Sequence, residues 1–348
     1  MIYLHIQDTM CALIASLFIF CFALTCLAGE SLSYDKHLGA GRHTLTLTVD
    51  GLERTYIVHV PLSYDSKVSI PVVIMLHGGG GNAKISIWQT GWTEKADKAG
   101  FMVVFPNAML RDPSQRSRFL KNPQLWNDGS GRFYTDQKVP DDVRFISAML
   151  DDLSDRFSFD RKRVFVTGFS NGASMSFRIG AELSNRIAAI APVAGACWLD
   201  PVILERPVSM LYITGKTDTL NPIEGGMPTL ATNTGYKLHT KPKPPVSESI
   251  LKWAAALGIQ LKPAKISDVD GVHTETYGPG RYGSMLVYIS VDGLGHTWAG
   301  GRNIMPKKIV GETTDKIKAT DVIWDFFEKN EIPINDKELS NDMIQRTK

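Results

Sequence analysis

The strongest constraint on the fold is the alternation, from about residue 70 to residue 330, of short β-rich apolar runs with helix-spaced segments. Val72–Leu76, the run FMVVFPN from Phe101, Val164–Thr167, AAIAPVAG (188–195) and VSMLYITG (208–215) are continuous rather than alternating. Such runs read as strands buried on both faces. Between them lie helical patterns: Trp92–Ala99, then 140–157 with Val143, Ile146, Met149, Leu150 and Leu153 on one face, then Ala173–Leu183. SESILKWAAALG (247–258) adds another helix, TETYG and SMLVYIS two more strands, and KATDVIWDFFEKN a closing helix. Strands and helices in this order predict one α/β domain, with a mostly parallel central sheet covered by helices on both faces. Ahead of it, Thr44, Thr46 and Thr48 alternate with Leu45, Leu47 and Val49, and Asp50-Gly51 supplies a tight turn, so a β-hairpin is expected.

One stretch resists this pattern. Residues 219–246 are rich in proline and glycine, carry Lys237, Lys241 and Lys243, and show no periodicity. A long irregular loop inside a compact domain is often functional. It either walls the substrate site or is a solvated surface excursion, and the lysines alone do not decide between these.

Composition excludes little. The chain has 348 residues, 43% hydrophobic and 21% charged, and a formal net charge of +2, which gives no electrostatic case for nucleic-acid binding. The N-terminus is distinctive: Met10–Ala28 contains no charge, and polar sequence follows directly, with small residues at Ala28 and Gly29. Residues 1–28 are therefore expected to be a cleaved export signal and the protein secreted or periplasmic. The alternative is an uncleaved membrane anchor, since Asp8 is acidic and no Lys or Arg precedes Met10. Cys11, Cys21 and Cys26 lie inside this segment, which leaves Cys197 alone in the expected mature chain, 29–348, as a core residue without a disulfide partner.

The chemistry centres on Gly168-Phe169-Ser170-Asn171-Gly172, between the strand RVFVT and the helix ASMSFRIGAEL. A serine on a sharp strand-to-helix turn adopts strained angles and needs small residues two positions away on each side. Ser170 is thus the expected nucleophile, and it needs a base and an orienting acid. On this architecture the partners follow in the order acid, then histidine. That order removes His5, His37, His43, His59 and His77, which all precede Ser170. Of the remaining three, His239 lies in the Lys/Pro loop and His273 in a strand-like run. His296 follows the strand SMLVYIS in the Gly-rich segment DGLGHTW, where a mobile base belongs. Asp218, just after the strand VSMLYITG, is the leading acid; Asp292 and Asp200 are the alternatives. Donors for the oxyanion are expected from the backbone N–H of Asn171 and from Gly78 or Gly79 in the run His77–Gly81. No phosphate-loop pattern follows those glycines.

Taken together, HGGGGNA, WNDG (126–129), PDDVRFI, GFSNGASMS, TGKTD, GLGHTWAGG and ATDVIWDFF resemble the α/β-hydrolases known as polyhydroxybutyrate depolymerases and feruloyl esterases. The resemblance runs from about His43 to about Phe327. It implies an α/β-hydrolase fold in a single catalytic domain and a serine esterase with Ser170, Asp218 and His296 at the triad positions. It also implies no metal and no cofactor, and a small or oligomeric ester as the partner. Trp126 and Trp298 match aromatic positions near the family's motifs, either lining an acyl pocket or, the favoured assignment, packing in the core.

Three departures stand out. Cysteines that family members carry before the histidine are missing, the usual Pro in the H-x-W-P-G run is Ala299, and only about fifty residues follow His296. The last leaves no room for a surface-binding domain and favours soluble oligomers or small and aryl esters over solid polymer. A serine peptidase and a non-catalytic binding protein on the same fold are the competing functions.

Overall fold

The computed structural model describes residues 38–118, 121–131, 139–228 and 241–332. The chain divides into two units between Leu38 and Gly39, and the described elements all belong to the second. The apolar N-terminal segment with its three cysteines, His239 and Lys237 lie outside the described residues. Among the described residues no helix is long and apolar enough to cross a membrane.

The second unit opens with β1 (Gly41–Val49) and β2 (Leu52–Val60), paired in antiparallel register from Gly41↔Val60 to Val49↔Leu52. Asp50 and Gly51 both take positive φ, 52° and 77°, the geometry of the expected two-residue turn. The chain continues through β3 (Ile70–Leu76), α1 (Ala83–Thr90), α2 (Trp92–Ala99) and β4 (Met102–Pro106). Next come α3 (Asp142–Arg156), β5 (Phe159–Phe169), α4 (Asn171–Glu182), β6 (Ala189–Val193) and β7 (Ser209–Gly215). It closes with α5 (Val246–Leu257), β8 (Lys265–Val269), β9 (Val272–Tyr277), β10 (Leu286–Val291), the single turn α6 (Lys307–Val310) and α7 (Ala319–Phe327).

All ten strands join one sheet in the order β1-β2-β4-β3-β5-β6-β7-β10-β9-β8. The six central strands, β4 through β10 in that order, pair in parallel, and an antiparallel hairpin flanks them at each edge. The pleat sorts the core into two layers, because successive side chains point to opposite faces. Leu211 and Ile213 of β7 join the cluster that holds Trp324 and Phe327 of α7. Tyr212 between them meets Phe177 of α4, whose ring also packs against Trp253 of α5. Helices therefore cover both faces, as the alternation predicted.

Besides the single turn α6, two elements were not expected. Helix α1 has no clear apolar stripe; it is held by its ends, with Asn82 Oδ1 accepting from Ile85 N at 3.0 Å and Gly91 closing it in the left-handed conformation. Strand β8 is almost wholly exposed and polar, so it lacks the apolar signal on which strand assignment rests. Its signal was the turn: Asp270-Gly271 repeats the Asp50-Gly51 dipeptide and the same pair of positive φ angles, 51° and 77°.

Candidate active site

Strand β5 ends at Phe169 and helix α4 begins at Asn171, so a single residue makes the turn. That residue, Ser170, sits at φ 55°, ψ −116°, a conformation costing about 1–3 kcal/mol for a residue with a side chain. The surroundings enforce it. A Cβ on Gly168 would lie 2.3 Å from the Gly172 carbonyl oxygen, and one on Gly172 would lie 2.3 Å from that of Leu76 and 2.5 Å from that of His77. No other residue fits at either position, which is the physical content of the glycine spacing. Ser170 N donates to Val193 O at 2.9 Å and ties the turn to the next strand.

Two later strand ends converge on this turn. His296 follows β10, and its Nε2 accepts from Ser170 Oγ at 2.8 Å across 126 residues of sequence. Its Nδ1 donates to Asp218 Oδ2, also at 2.8 Å, from the loop after β7. The ring is 6% exposed and lies against Phe169, centroids 4.9 Å apart. The other carboxylate oxygen of Asp218 accepts from the amides of Leu220 at 2.8 Å and Asn221 at 2.7 Å. Burial alone would push this carboxyl up. The charge and hydrogen bond of His296, the Asn221 amide and the Lys243 ammonium outweigh it and hold the group below the usual carboxylate range. The alternative acids point elsewhere: Asp292 pairs with Lys216 at 2.8 Å, and Asp200 faces Lys252 at 3.8 Å. His273 binds Asp268 and Glu275 on the exposed edge hairpin.

The glycine run after β3 borders the serine. Cβ atoms placed on Gly78 and Gly79 would stand 3.6 Å from Ser170 Cβ and Asn171 Cβ respectively. The amides of Gly80 and Gly81 are committed to Gln124 O at 2.8 Å and Gly78 O at 2.9 Å. Those of Gly78 and Gly79 make no such bond among the described residues. The amide of Asn171 belongs to the first turn of α4, where N–H groups lack intrahelical partners and the helix dipole favours negative charge.

Sequence reasoning missed what braces this loop. His77 is buried, its Nε2 accepts from Ala108 N at 3.0 Å, and its Nδ1 donates to Gly78 O at 2.8 Å. Burial drives its pKa down to about 4, so the ring is a neutral strut. The Asn171 side chain is equally occupied: Oδ1 accepts from Trp126 N at 2.8 Å, and Nδ2 donates to Trp126 O at 3.1 Å and Asp128 Oδ2 at 3.0 Å. The motifs GFSNG and WNDG are thus one hydrogen-bonded unit. The only advance signal was their joint presence.

Trp126 has no exposed surface and donates its indole N–H to His77 O at 2.9 Å; Trp298 is 1% exposed and donates to Thr320 Oγ1 at 3.1 Å. Both are packed as core residues. Cys197 is likewise buried, and burial raises its thiol to about 11. No cluster of metal-ligating side chains occurs among the described residues.

A parallel sheet with helices on both faces, a serine turn after its fifth strand, and a histidine and a carboxylate from later strand ends define an α/β-hydrolase. A family model described as phospholipase/carboxylesterase matches residues 64–225. NocK of Nocardia uniformis subsp. tsuyamanensis, named as an esterase, is 29% identical over 293 residues, 80% of this chain and 80% of its own. Feruloyl esterase B of Piromyces equi is 27% identical over 266 residues, 72% of this chain, and the chain spans 44% of that relative's length. An acetyl xylan esterase from Aspergillus awamori shares the fold, with a TM-score of 0.52 at 17% identity, covering 73% of this chain and 94% of that one. The chain has the α/β-hydrolase fold and is similar to carboxylesterase-type hydrolases, feruloyl esterases among them.

Proposed function

We propose that the protein hydrolyses carboxylic esters through an acyl-enzyme on Ser170. The observation that carries this reading is the continuous hydrogen-bonded line Ser170 Oγ, His296, Asp218, with 2.8 Å at both joints. His296 Nε2 takes the hydroxyl proton as Ser170 Oγ attacks the ester carbonyl, and Asp218 orients the ring and balances the imidazolium. The oxyanion is received by the Asn171 amide and by that of Gly78 or Gly79. His296 returns the proton to the departing alcohol. Water, deprotonated by the same ring, then attacks the acyl carbon, and the imidazolium returns that proton to Ser170 Oγ as the acid leaves. Each group involved belongs to this chain.

The relatives named above carry feruloyl and acetyl xylan esters in their names, which favours aryl and acetyl esters of sugars over hydroxyalkanoate oligomers. A panel of p-nitrophenyl esters, feruloyl sugars, 3-hydroxybutyrate oligomers and peptide amides tests the reading. Turnover of the activated and feruloyl esters is expected; cleavage of amides without esters would replace it with a peptidase. The same reading makes residues 1–28 an export signal. N-terminal sequencing of exported protein should then start at Gly29 or Glu30, and retention of Met1 would make the segment an anchor.

A further inference from the structure

The irregular loop after Asp218 contains a lysine that the mechanism above does not use. Lys243 is 7% exposed, an unusual place for an ammonium. Its backbone pairs with Gly226 in both directions, N→O at 2.8 Å and O←N at 2.9 Å. Gly225 must be glycine for this to happen: its φ is +74°, and a Cβ there would lie 2.7 Å from Lys243 O and from Pro245 N. A third bond, Val246 N to Ile223 O at 2.8 Å, closes the pinch. The pinch directs Lys243 inward, where its Nζ donates to Asn221 Oδ1 at 2.9 Å. Asn221 is the residue whose amide binds Asp218 Oδ1 at 2.7 Å. One line therefore runs from Lys243 through Asn221 and Asp218 to His296 and Ser170.

We propose that Lys243 is a positioning residue for the Asp218–His296 pair, its buried positive charge fixing the Asp218 turn through Asn221 and keeping that carboxylate ionised. The inference rests on the triad reading and deepens it. Other groups around Asp218 cannot supply the charge. Tyr212, on β7, faces the same carboxylate, but its hydroxyl donates to Gly195 O and burial pushes its pKa up, so it stays neutral. Lys216 is exposed and neutralised by Asp292. Lys241, two residues before Lys243, is exposed and donates to Ser130 O at 3.2 Å. Among the described residues, Lys243 is the lysine that lowers the Asp218 carboxyl, alongside its hydrogen-bond partner His296.

Without the Lys243 charge, the coupled Asp218–His296 pair binds protons more tightly, and the acid limb of the kcat/KM profile moves to higher pH. The test is the kcat/KM pH profile for p-nitrophenyl acetate with the wild type and the Lys243→Met, Lys243→Gln, Lys243→Arg and Ser170→Ala variants, each checked for folding by thermal unfolding. Lys243→Met and Lys243→Gln should raise the acid limb by on the order of one pH unit, and Lys243→Arg should hold it near the wild-type position. Gln keeps a donor without the charge, so it decides the question if Met fails to fold. A uniform loss of rate with the wild-type acid limb in the neutral variants would overturn the proposal. Activity persisting in Ser170→Ala would instead overturn the triad reading beneath it.

Discussion

Ser170→Ala should lower ester turnover by on the order of 10⁴- to 10⁶-fold while leaving the fold intact, and His296→Ala should do the same within about tenfold. The two losses match because the groups act as a unit: a serine without its base is a poor nucleophile, and a base without its serine has only water to activate. Combining the substitutions should therefore cost little more than either alone. His273→Ala is the matched control, since that ring sits on the exposed edge hairpin among Asp268 and Glu275, and its loss should leave turnover near wild type. Steady-state kinetics on a p-nitrophenyl ester, with thermal unfolding of each variant, checks both halves. Equal losses at His273 and His296 would show the wrong base had been identified.

Arg54→Met should destabilise the protein by about 3–5 kcal/mol. Arg54 on β2 is 2% exposed; its Nη2 meets Asp142 Oδ1 at 2.6 Å, and its guanidinium stacks 3.8 Å over the Phe145 ring. Asp142 opens α3 and has no exposed side-chain surface, so removing the arginine strands a buried carboxylate. The other oxygen of Asp142 accepts from Asn127 N at 2.7 Å, which links this pair to the WNDG loop and through it to Asn171. The Tm should fall by on the order of 5 to 15 °C, with the denaturant midpoint moving in step. The double variant Arg54→Met/Asp142→Leu should recover part of the loss, because a buried pair replaced by apolar groups costs less than a buried charge left alone. A double variant weaker than the single one would mean that the pair itself, and not the stranded charge, carries the stability.

What the sequence revealed and what it hid divide along a physical line. The buried parallel strands were legible because continuous apolar runs such as Val72–Leu76 have few other homes, and α3 was legible because five of its apolar residues repeat at helical spacing. The serine turn was legible because its neighbours Gly168 and Gly172 record close approaches of backbone that no side chain permits. Chain order narrowed the histidines to three, and the places of His296 and Asp218 just after strands made them the leading choices. The hidden features are pairings between distant polar residues. Asn171 reaches Trp126 and Asp128, Arg54 reaches Asp142, and Lys243 reaches Asn221, yet each looks locally like an ordinary surface residue. Lys243 is the sharpest case: from sequence it is one of several lysines in a Pro-rich loop, and only the pinch at Gly225 and Gly226 turns it inward.

The most direct test of the central claim is covalent labelling with a fluorophosphonate, followed by peptide mass spectrometry. A nucleophile activated by His296 should react in stoichiometric yield, with the adduct on the peptide containing Ser170 and loss of ester turnover in proportion. Labelling should vanish in Ser170→Ala. Full esterase activity in protein that carries no adduct, or an adduct mapped to another residue, would contradict the assignment of Ser170 as the nucleophile.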